Sequence, residues 1–375
     1  MFLSYRYRIE PSKKQSALLT EMLGDFCELY NAALEHRKRA KEKGVSIKCY
    51  DQIRALTAIR RDLPNQGRWA AVPQQQIMRK IEDAYHSAFR RLKNKIKPGF
   101  PRFKAKSQYQ SAAFRIGEGL VIRKSNKIRI VGVLGEIKVR WHRDLPSKPK
   151  SAILSRNGGK WYIIFHVEVA PVERASPDSI GVDVGLTSLI ALSNGETIAR
   201  PNITKRNARR LRVLQRTLAR AKRGSKGRKR AKAAVAKLQA HIGNARRDNL
   251  HKLSASLVAR FGRIAIEDLN VKGLAAGMLA KHVNDAAWSM LTGMLAYKAE
   301  RAGCELVKVD ARWTSQTCPE CGIIAKKTLA TREHCCDCGC SLDRDVAAAI
   351  VIHNRAFQAR PLGASGESLI QRVAA

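Results

Sequence analysis

Apolar and polar residues alternate from the start of the chain. Leu3, Tyr5, Tyr7 and Ile9 fall on one side of residues 2–10, with Arg6 and Arg8 on the other, which predicts a half-buried strand. The period then lengthens. Leu19, Met22, Leu23, Phe26, Tyr30 and Ala33 recur at helical spacing. They follow Pro11-Ser12-Lys13-Lys14-Gln15, where Ser12 and Gln15 can close a capping box. Met22 and the aromatic residues there read as core. A second amphipathic helix follows Pro73, with Ile77, Ile81, Ala84, Tyr85, Ala88 and Leu92 on one face and Pro98-Gly99 as its stop. Between 119 and 170 the period shortens to two. Runs at 120–122, 127–131, 136–141, 152–155 and 161–169, with Asn157-Gly158-Gly159 as a hairpin turn, predict a small barrel or curved sheet that takes in the first strand. Residues 171–178, PVERASPD, read as a linker.

A different pattern opens at Ile180. IGVDVGLTSLIALSNG is an apolar strand carrying one inward acid, Asp183, then a turn at Gly185, a second strand and a turn at Asn194-Gly195. Residues 201–247 hold seventeen Lys and Arg and no acid, and Gly224-Ser225 divides them into two helices of a basic hairpin. FGRIAIEDL, 261–269, is another apolar strand, ending in Glu267-Asp268. Residues 284–302 form an amphipathic helix through Trp288, Leu291, Leu295, Ala299 and Ala302, stopped by Gly303, and 305–309 form a strand. An Ala/Ile/Val helix follows Asp343-Arg344-Asp345, and 358–375 reads as a disordered tail.

Charge narrows the class. Across 375 residues there are 71 Lys and Arg against 31 acids, a net charge of +40, with enough apolar residues to build two or three cores. Such a chain repels itself unless it meets a polyanion, and nucleic acid is the obvious one, bound in a steeply salt-dependent way. A ribosome-associated or merely soluble basic protein is the plainer alternative. A second basic run, 84–117, has nine Lys and Arg, no acid, and Phe89, Phe100, Phe103, Tyr109 and Phe114 among them. Cations there can hold phosphates and exposed rings can stack on bases. Candidate nucleic-acid contacts are Arg6, Arg8, Gln76, Arg102, Phe103, Lys104, Arg209, Arg210, Arg223 and Arg228. MFLSYRYRIE has no apolar core of a signal peptide, and no run of about 18 apolar residues spans a membrane. Nine cysteines with metal-type spacing fit a reducing cytosol, with Cys27, Cys49 and Cys304 as inert packing residues.

Two constellations carry chemistry. Cys318 and Cys321 form one C-x-x-C pair, Cys335 and Cys338 a second, and each pair is followed by glycine, Gly322 or Gly339. That is the ligand set of a tetrahedral zinc ribbon, in preference to disulfides or buried free thiols. Cys335 and Cys338 match the spacing of the first pair best, and Cys336 and Cys340 are alternative ligands. The second constellation is three acids about eighty residues apart: Asp183 on a strand, Glu267 at the end of another, Asp345 at a helix start. This is the pattern of an RNase H-like core, in which carboxylates hold two divalent ions about 4 Å apart, one activating water and one steadying the leaving oxygen. Hard oxygen ligands select Mg²⁺ or Mn²⁺. An acid inside GVDVG is costly unless it is paired or metal-bound. Asp268 and Asp343 are plainer neighbours, Asp268 as a cap and Asp343 as a partner of Arg344 or a secondary metal ligand.

Nearly end to end, the chain resembles the TnpB (OrfB) family encoded by bacterial insertion sequences, related to the compact type V CRISPR nucleases. YRYRIEPSKKQ, YNAAL and FPRFKAK match its first half. IGVDVGLTSLIAL, IAIEDLNVKGL, AWSMLTGMLAYKAERAG, TSQTCPECG and HCCDCGCSLDRDVAAAI match its nuclease half. The resemblance implies an α/β multidomain RNA-guided DNA endonuclease working in the bacterial cytosol, with a guide RNA and double-stranded DNA as partners. In such enzymes pairing reads the target and the protein reads a short flank. It implies a wedge barrel from 1–10 and 107–172, a helical recognition domain at 11–106, a RuvC-like nuclease domain at 173–313 and 342–357, and a zinc ribbon at 314–341. Asp183, Glu267 and Asp345 match the RuvC-type catalytic acids, and Cys318, Cys321, Cys335 and Cys338 the zinc ligands. One departure is Ala347, where the family usually has asparagine. A cleavage-deficient RNA-guided regulator, a transposase proper and a plain zinc-ribbon factor are the competing functions.

Overall fold

In the computed structural model the described residues are 1–123, 126–170, 172, 176–185, 188–274, 287–327 and 331–358. The chain forms two compact units, Met1–Val169 with Lys222–Ala240, and Ala170–Ala221 with His241–Ala375.

The first unit combines a barrel with helices. It begins with β1 (Phe2–Glu10), α1 (Lys13–Glu42), α2 (Cys49–Asp62), α3 (Pro64–Gly67) and α4 (Ala71–Lys93). Six strands follow: β2 (Ser111–Ile116), β3 (Gly119–Arg123), β4 (Lys127–Ile130), β5 (Ile137–Arg140), β6 (Ser151–Asn157) and β7 (Lys160–Glu168). The strands close in the order β1-β5-β4-β3-β2-β6-β7. β1 completes the ring by pairing antiparallel with β7, Tyr5 opposite Phe165, and with β5, Ile9 opposite Val139. Its alternation explains why: Leu3, Tyr5, Tyr7 and Ile9 are all buried inside, and closure leaves no edge to protect. Gly158 and Gly159, at φ 56° and 78°, make the predicted hairpin turn between β6 and β7.

The helices obey their local signals. Ser12 and Gln15 form the capping box of α1, and Gln15 Nε2 also donates to the carbonyls of Leu134 and Glu136 at 2.9 and 3.1 Å, tying the cap to the barrel. Leu19, Met22, Leu23, Phe26, Tyr30 and Ala33 are all buried. α4 ends at Lys93, before Pro98, with Lys95 in the left-handed region at φ 55°, so Leu92 is exposed and the apolar face stops short. α2 and β2 are among the elements that escaped the sequence pattern. α2 packs through a polar contact, Gln52 accepting from Arg37 Nε at 2.7 Å and donating to Ala33 O at 2.8 Å. β2 buries only Ala112 and Phe114, too little apolar bulk to announce a strand.

The second unit holds an RNase H-like sheet. Its strands are β8 (Ser179–Asp183), β9 (Ser188–Leu192), β10 (Thr197–Ala199), β11 (Arg263–Glu267) and β12 (Glu305–Val309), ordered β10-β9-β8-β11-β12. β8–β9 and β9–β10 pair antiparallel, whereas β8–β11 and β11–β12 pair parallel. Helices α5 (Ile203–Arg220) and α6 (Lys226–Arg260), the basic pair predicted around Gly224-Ser225, lie between β10 and β11 in the chain. The rest are α7 (Val271–Leu274), α8 (Trp288–Ala302), a hairpin of β13 (Glu333–Cys335) and β14 (Ser341–Asp343), and α9 (Arg344–Phe357). Ile180, Val182, Ile190, Ile264 and Ile266 pack with Leu250, Leu257, Leu291 and Leu295 in one core. Ala265 and Val309 pack with Ile352 of α9. The expected start of a helix at 284–286, the tail at 359–375 and most of the linker at 171–175 lie outside the described residues. The predicted fold class, barrel plus helices plus an RNase H-like α/β domain with a cysteine module, is the one observed.

Candidate active site and cysteine cluster

The sheet delivers the first two acids. β8 and β11 run parallel with Val182 beside Ile266. Asp183 and Glu267, the next residue of each strand, therefore leave the sheet at one end. The third acid arrives by close packing. α9 crosses β8 so tightly that a Cβ on Gly181 would lie 2.1 Å from Ala349 O. Glycine is required there, and its absence of side chain lets the first turn of α9 bring in Asp345, whose Oδ2 lies 3.4 Å from where a Gly185 Cβ would stand. Ala347, in the same helix, is buried.

Electrostatics link the three. Burial raises the Asp183 carboxyl well above its usual range, and the charges of Glu267 and Asp345 raise it further, against the Arg344 guanidinium and the Val184 N–H. Burial raises Glu267, opposed by the Thr314 hydroxyl and the Arg355 charge. Burial and then Asp343 raise Asp345, opposed by Arg332 and Arg344. Three carboxyls raised by burial, one of them raised further by the charges of the other two, make a site short of positive charge, which a cation can supply. The three are spread wider than a single-ion cage: among the described residues, sets of three ligand atoms within 4.8 Å of one another occur only in the cysteine module.

Neighbouring side chains hold the acids in place. Thr314 is buried, and its hydroxyl donates to Glu267 Oε1. Its place in TSQTC was visible in the sequence, but nothing there showed that it reaches Glu267. Asp343 is the N-cap of α9, its Oδ1 accepting from the N–H groups of Asp345 and Val346 at 2.9 and 3.1 Å. Asp268 is exposed and pairs with Lys308 at 3.1 Å.

The cysteine module brings together Cys318, Cys321, Cys336 and Cys338, all four sulfurs within 4.8 Å of one another. Cys318 and Cys338 are 3.6 Å apart, Cys321 and Cys336 3.5 Å. Sulfurs about 2.3 Å from one zinc stand about 3.8 Å apart, so the quartet fits a tetrahedral ion. The expected Cys335 is replaced here by Cys336. The reason is strand alternation: in β13, His334 points in and Cys335 out, so the next inward position is 336. Cys335 Sγ instead lies 3.9 Å from Ser341 Oγ. Glycine closes both turns, the Gly322 N–H donating to Cys318 O at 3.1 Å and the Gly339 N–H to Cys336 O at 2.9 Å.

Cys318 also belongs to a buried trio with His334 and Cys340. Sequence reading missed His334, whose place beside the cysteines was the available signal. Burial raises the Cys318 thiol, but hydrogen bonds from the Cys321 and Glu320 backbone and from His334 outweigh it and bring the thiol down to about 5. Burial and the Cys318 thiolate push Cys340 up to about 12. One ionised sulfur among crowded thiols is what a soft cation displaces protons from.

The nucleic-acid candidates fall into three groups. Arg102, Arg209, Arg210 and Arg223 are exposed, and so is Phe103, with Lys38 Nζ 4.4 Å from its ring centre. Arg8, Gln76 and Arg228 are partly buried. Arg6 and Lys104 are committed to aromatic partners: Arg6 stacks over Tyr162 at 3.7 Å, and Lys104 lies over Tyr30 at 4.5 Å with burial lowering its amine.

Comparison with known proteins places these features. Three family models match: "Helix-turn-helix domain" over 1–45, "Probable transposase" over 163–277, and "Cas12f1-like, TNB domain" over 288–352. A Streptomyces pristinaespiralis protein described as "Putative RNA-guided DNA endonuclease" is 35% identical over 360 residues, covering 92% of this chain and 87% of its own. Escherichia coli K12 InsQ, described in the same words, is 28% identical, covering 86% and 84%. Among solved structures, the protein of a Cas12f1–sgRNA–target DNA complex shares the fold with a TM-score of 0.59 at 16% identity, covering 92% of this chain and 83% of that one. The first model's region is, in this chain, one strand and one 30-residue helix.

Proposed function

The chain belongs to the TnpB (OrfB) family of insertion-sequence proteins, related to the compact type V effectors, and from that premise we propose that it is an RNA-guided endonuclease that cuts double-stranded DNA beside a short flanking motif. The observation that supports the reading is the Asp183 carboxyl at the end of a strand of an RNase H-like sheet, raised above its usual range by burial and by the charges of Glu267 and Asp345.

Asp183, Glu267 and Asp345 would together hold the divalent ions. When bound, Mg²⁺ or Mn²⁺ would supply the charge that activates water and stabilises the leaving oxygen. The chain's own groups do the rest. Thr314 fixes the Glu267 carboxylate, the Asp343 cap fixes the start of the helix that carries Asp345, and Arg344 offsets charge beside Asp183. In-line attack on phosphorus leaves a 5′-phosphate and a 3′-hydroxyl. Cys318, Cys321, Cys336 and Cys338 would hold zinc as a structural ion. The basic helices α5 and α6 and the turn between them, with Arg209, Arg210, Arg223 and Arg228, supply phosphate contacts, the exposed Arg102 supplies another, and the exposed Phe103 ring supplies a face for base stacking. Sequence choice is delegated to the guide, so the protein needs cations and rings more than base-reading side chains.

The test is the RNA that copurifies with the full chain. Reads mapping to the end of the adjacent element, together with Mg²⁺-dependent cutting of a matched but not a mismatched target, support the proposal. Absence of such RNA, with strand-transfer products formed without it, would instead mark a transposase. Guided binding without any cutting would mark a regulator.

A further inference from the structure

The turn after β12 carries an aromatic residue that neither the acids nor the ribbon uses. Trp313 has a φ of 63°, in the left-handed region that bulky side chains rarely enter. The residue is 55% exposed, although tryptophan is highly buried on average. The backbone around it is held firmly. Trp313 O accepts from the N–H groups of Gln316 and Thr317 at 3.0 and 2.9 Å and from Thr317 Oγ1 at 2.8 Å. Arg355 of α9 donates to the carbonyls of Asp310 and Arg312 at 2.9 and 2.7 Å. The next residue, Thr314, is buried on Glu267. Asparagine or glycine would occupy this φ with less strain, and packing does not consume the ring. Strain kept at a residue next to a carboxylate site, with a large apolar face left in water, marks a surface that meets a ligand.

We propose that Trp313 is a stacking platform for an unpaired nucleobase of the strand being cut, adjoining the phosphate presented to Asp183, Glu267 and Asp345. This rests on the nuclease reading of those acids. The placement suits it: Trp313 is the chain neighbour of Thr314, about 3.8 Å away at Cα, and Thr314 is the residue that donates to Glu267. The chemistry suits it too. A ring can stack only on a base whose face is free, which selects single strand. Stacking tolerates any base, as an enzyme guided by pairing requires. Arg312, exposed beside it, adds a cation for the backbone.

The test uses the full chain loaded with its guide RNA. 2-Aminopurine is placed in turn at each position flanking the cut, in an Asp183→Ala background that binds without cutting. Quenching at one position that disappears with Trp313→Ala is the expected result. In the Asp183 protein, Trp313→Ala slows cutting by about 5- to 150-fold, the span that base–aromatic stacking gives, and Trp313→Tyr restores most of it. An abasic nucleotide at the same position slows the unsubstituted enzyme and leaves Trp313→Ala unchanged. Equal quenching with and without the indole would overturn the proposal, as would a Trp313→Ala penalty undiminished on the abasic strand. Failure of the unsubstituted protein to cut at all would count against the carboxylate reading, and the quenching experiment would still decide the role of Trp313.

Discussion

The acid site and the cysteine module are both clusters of like ligand atoms, and they are assembled in opposite ways. The module draws its four sulfurs from 21 consecutive positions, Cys318 to Cys338, and brings them to tetrahedral spacing by two glycine turns and a short hairpin. The acids come from strands and a helix spread over residues 183–345, and only the sheet and the packing of α9 on Gly181 unite them. The sulfurs converge on one point, as a single soft ion requires. The three carboxylates form no such cluster within 4.8 Å. A local cluster serves folding; a distant one makes chemistry conditional on the whole domain being formed.

Mutations separate the two, beginning with the largest effect. Structural zinc contributes on the order of 10–16 kcal/mol in zinc-finger peptides. Cys318→Ser or Cys336→Ser should therefore drop bound zinc from one per chain to none and unfold the ribbon, whereas Cys335→Ser keeps the metal. Elemental analysis of the purified variants checks this, and zinc lost from Cys335→Ser but kept by Cys336→Ser would reverse the ligand assignment. In the acid site, Gly181→Ala pushes a methyl into Ala349 O. Overpacking of this kind costs about 1–3 kcal/mol, so calorimetry should show a Tm lower by about 3–10 °C, together with impaired cutting. Thr314→Val leaves the fold intact and removes the hydroxyl from Glu267. Loss of such a partner lowers metal affinity or activity by about 10- to 100-fold, read from the Mg²⁺ dependence of the cleavage rate.

The smallest effect concerns pH. The folded Asp183 carboxyl ionises above its unfolded value, so the folded state keeps a proton that the unfolded chain has already released. Metal-free protein thus loses stability as pH rises from about 4 through the raised folded value. Asp183→Asn removes that penalty. Its metal-free Tm at pH 7.5 should exceed that of the unsubstituted chain, with a flatter pH profile. Mg²⁺ should then stabilise only the unsubstituted chain. A metal-free Tm equal in both would show that the three charges do not oppose folding.

Legibility followed the same division. Regular alternation at Leu3, Tyr5, Tyr7 and Ile9 and the helical run from Leu19 to Ala33 carried their own structure, because side-chain period and burial coincide there. α2 and β2 were silent because Gln52 and Ala112 are buried without the bulk that makes a pattern. The acids were readable singly, from context, but the roles of Gly181 and Thr314 exist only in three dimensions. In the ribbon the chemistry was plain and the register was not: HCCDCGC offers several spacings, and only the alternation of β13 selects Cys336 over Cys335. Spacing identifies a metal more readily than it identifies which neighbour of two binds it.

The most direct measurement is the cleavage rate of matched double-stranded DNA by guide-loaded protein, with and without Mg²⁺, compared between the unsubstituted chain and Asp183→Ala. Loss of the ion contacts removes several kcal/mol of transition-state stabilisation, so the variant should bind guide and target with unchanged affinity and cut about a thousandfold more slowly or not at all. Cutting by Asp183→Ala at the unsubstituted rate would contradict a site built on these three acids.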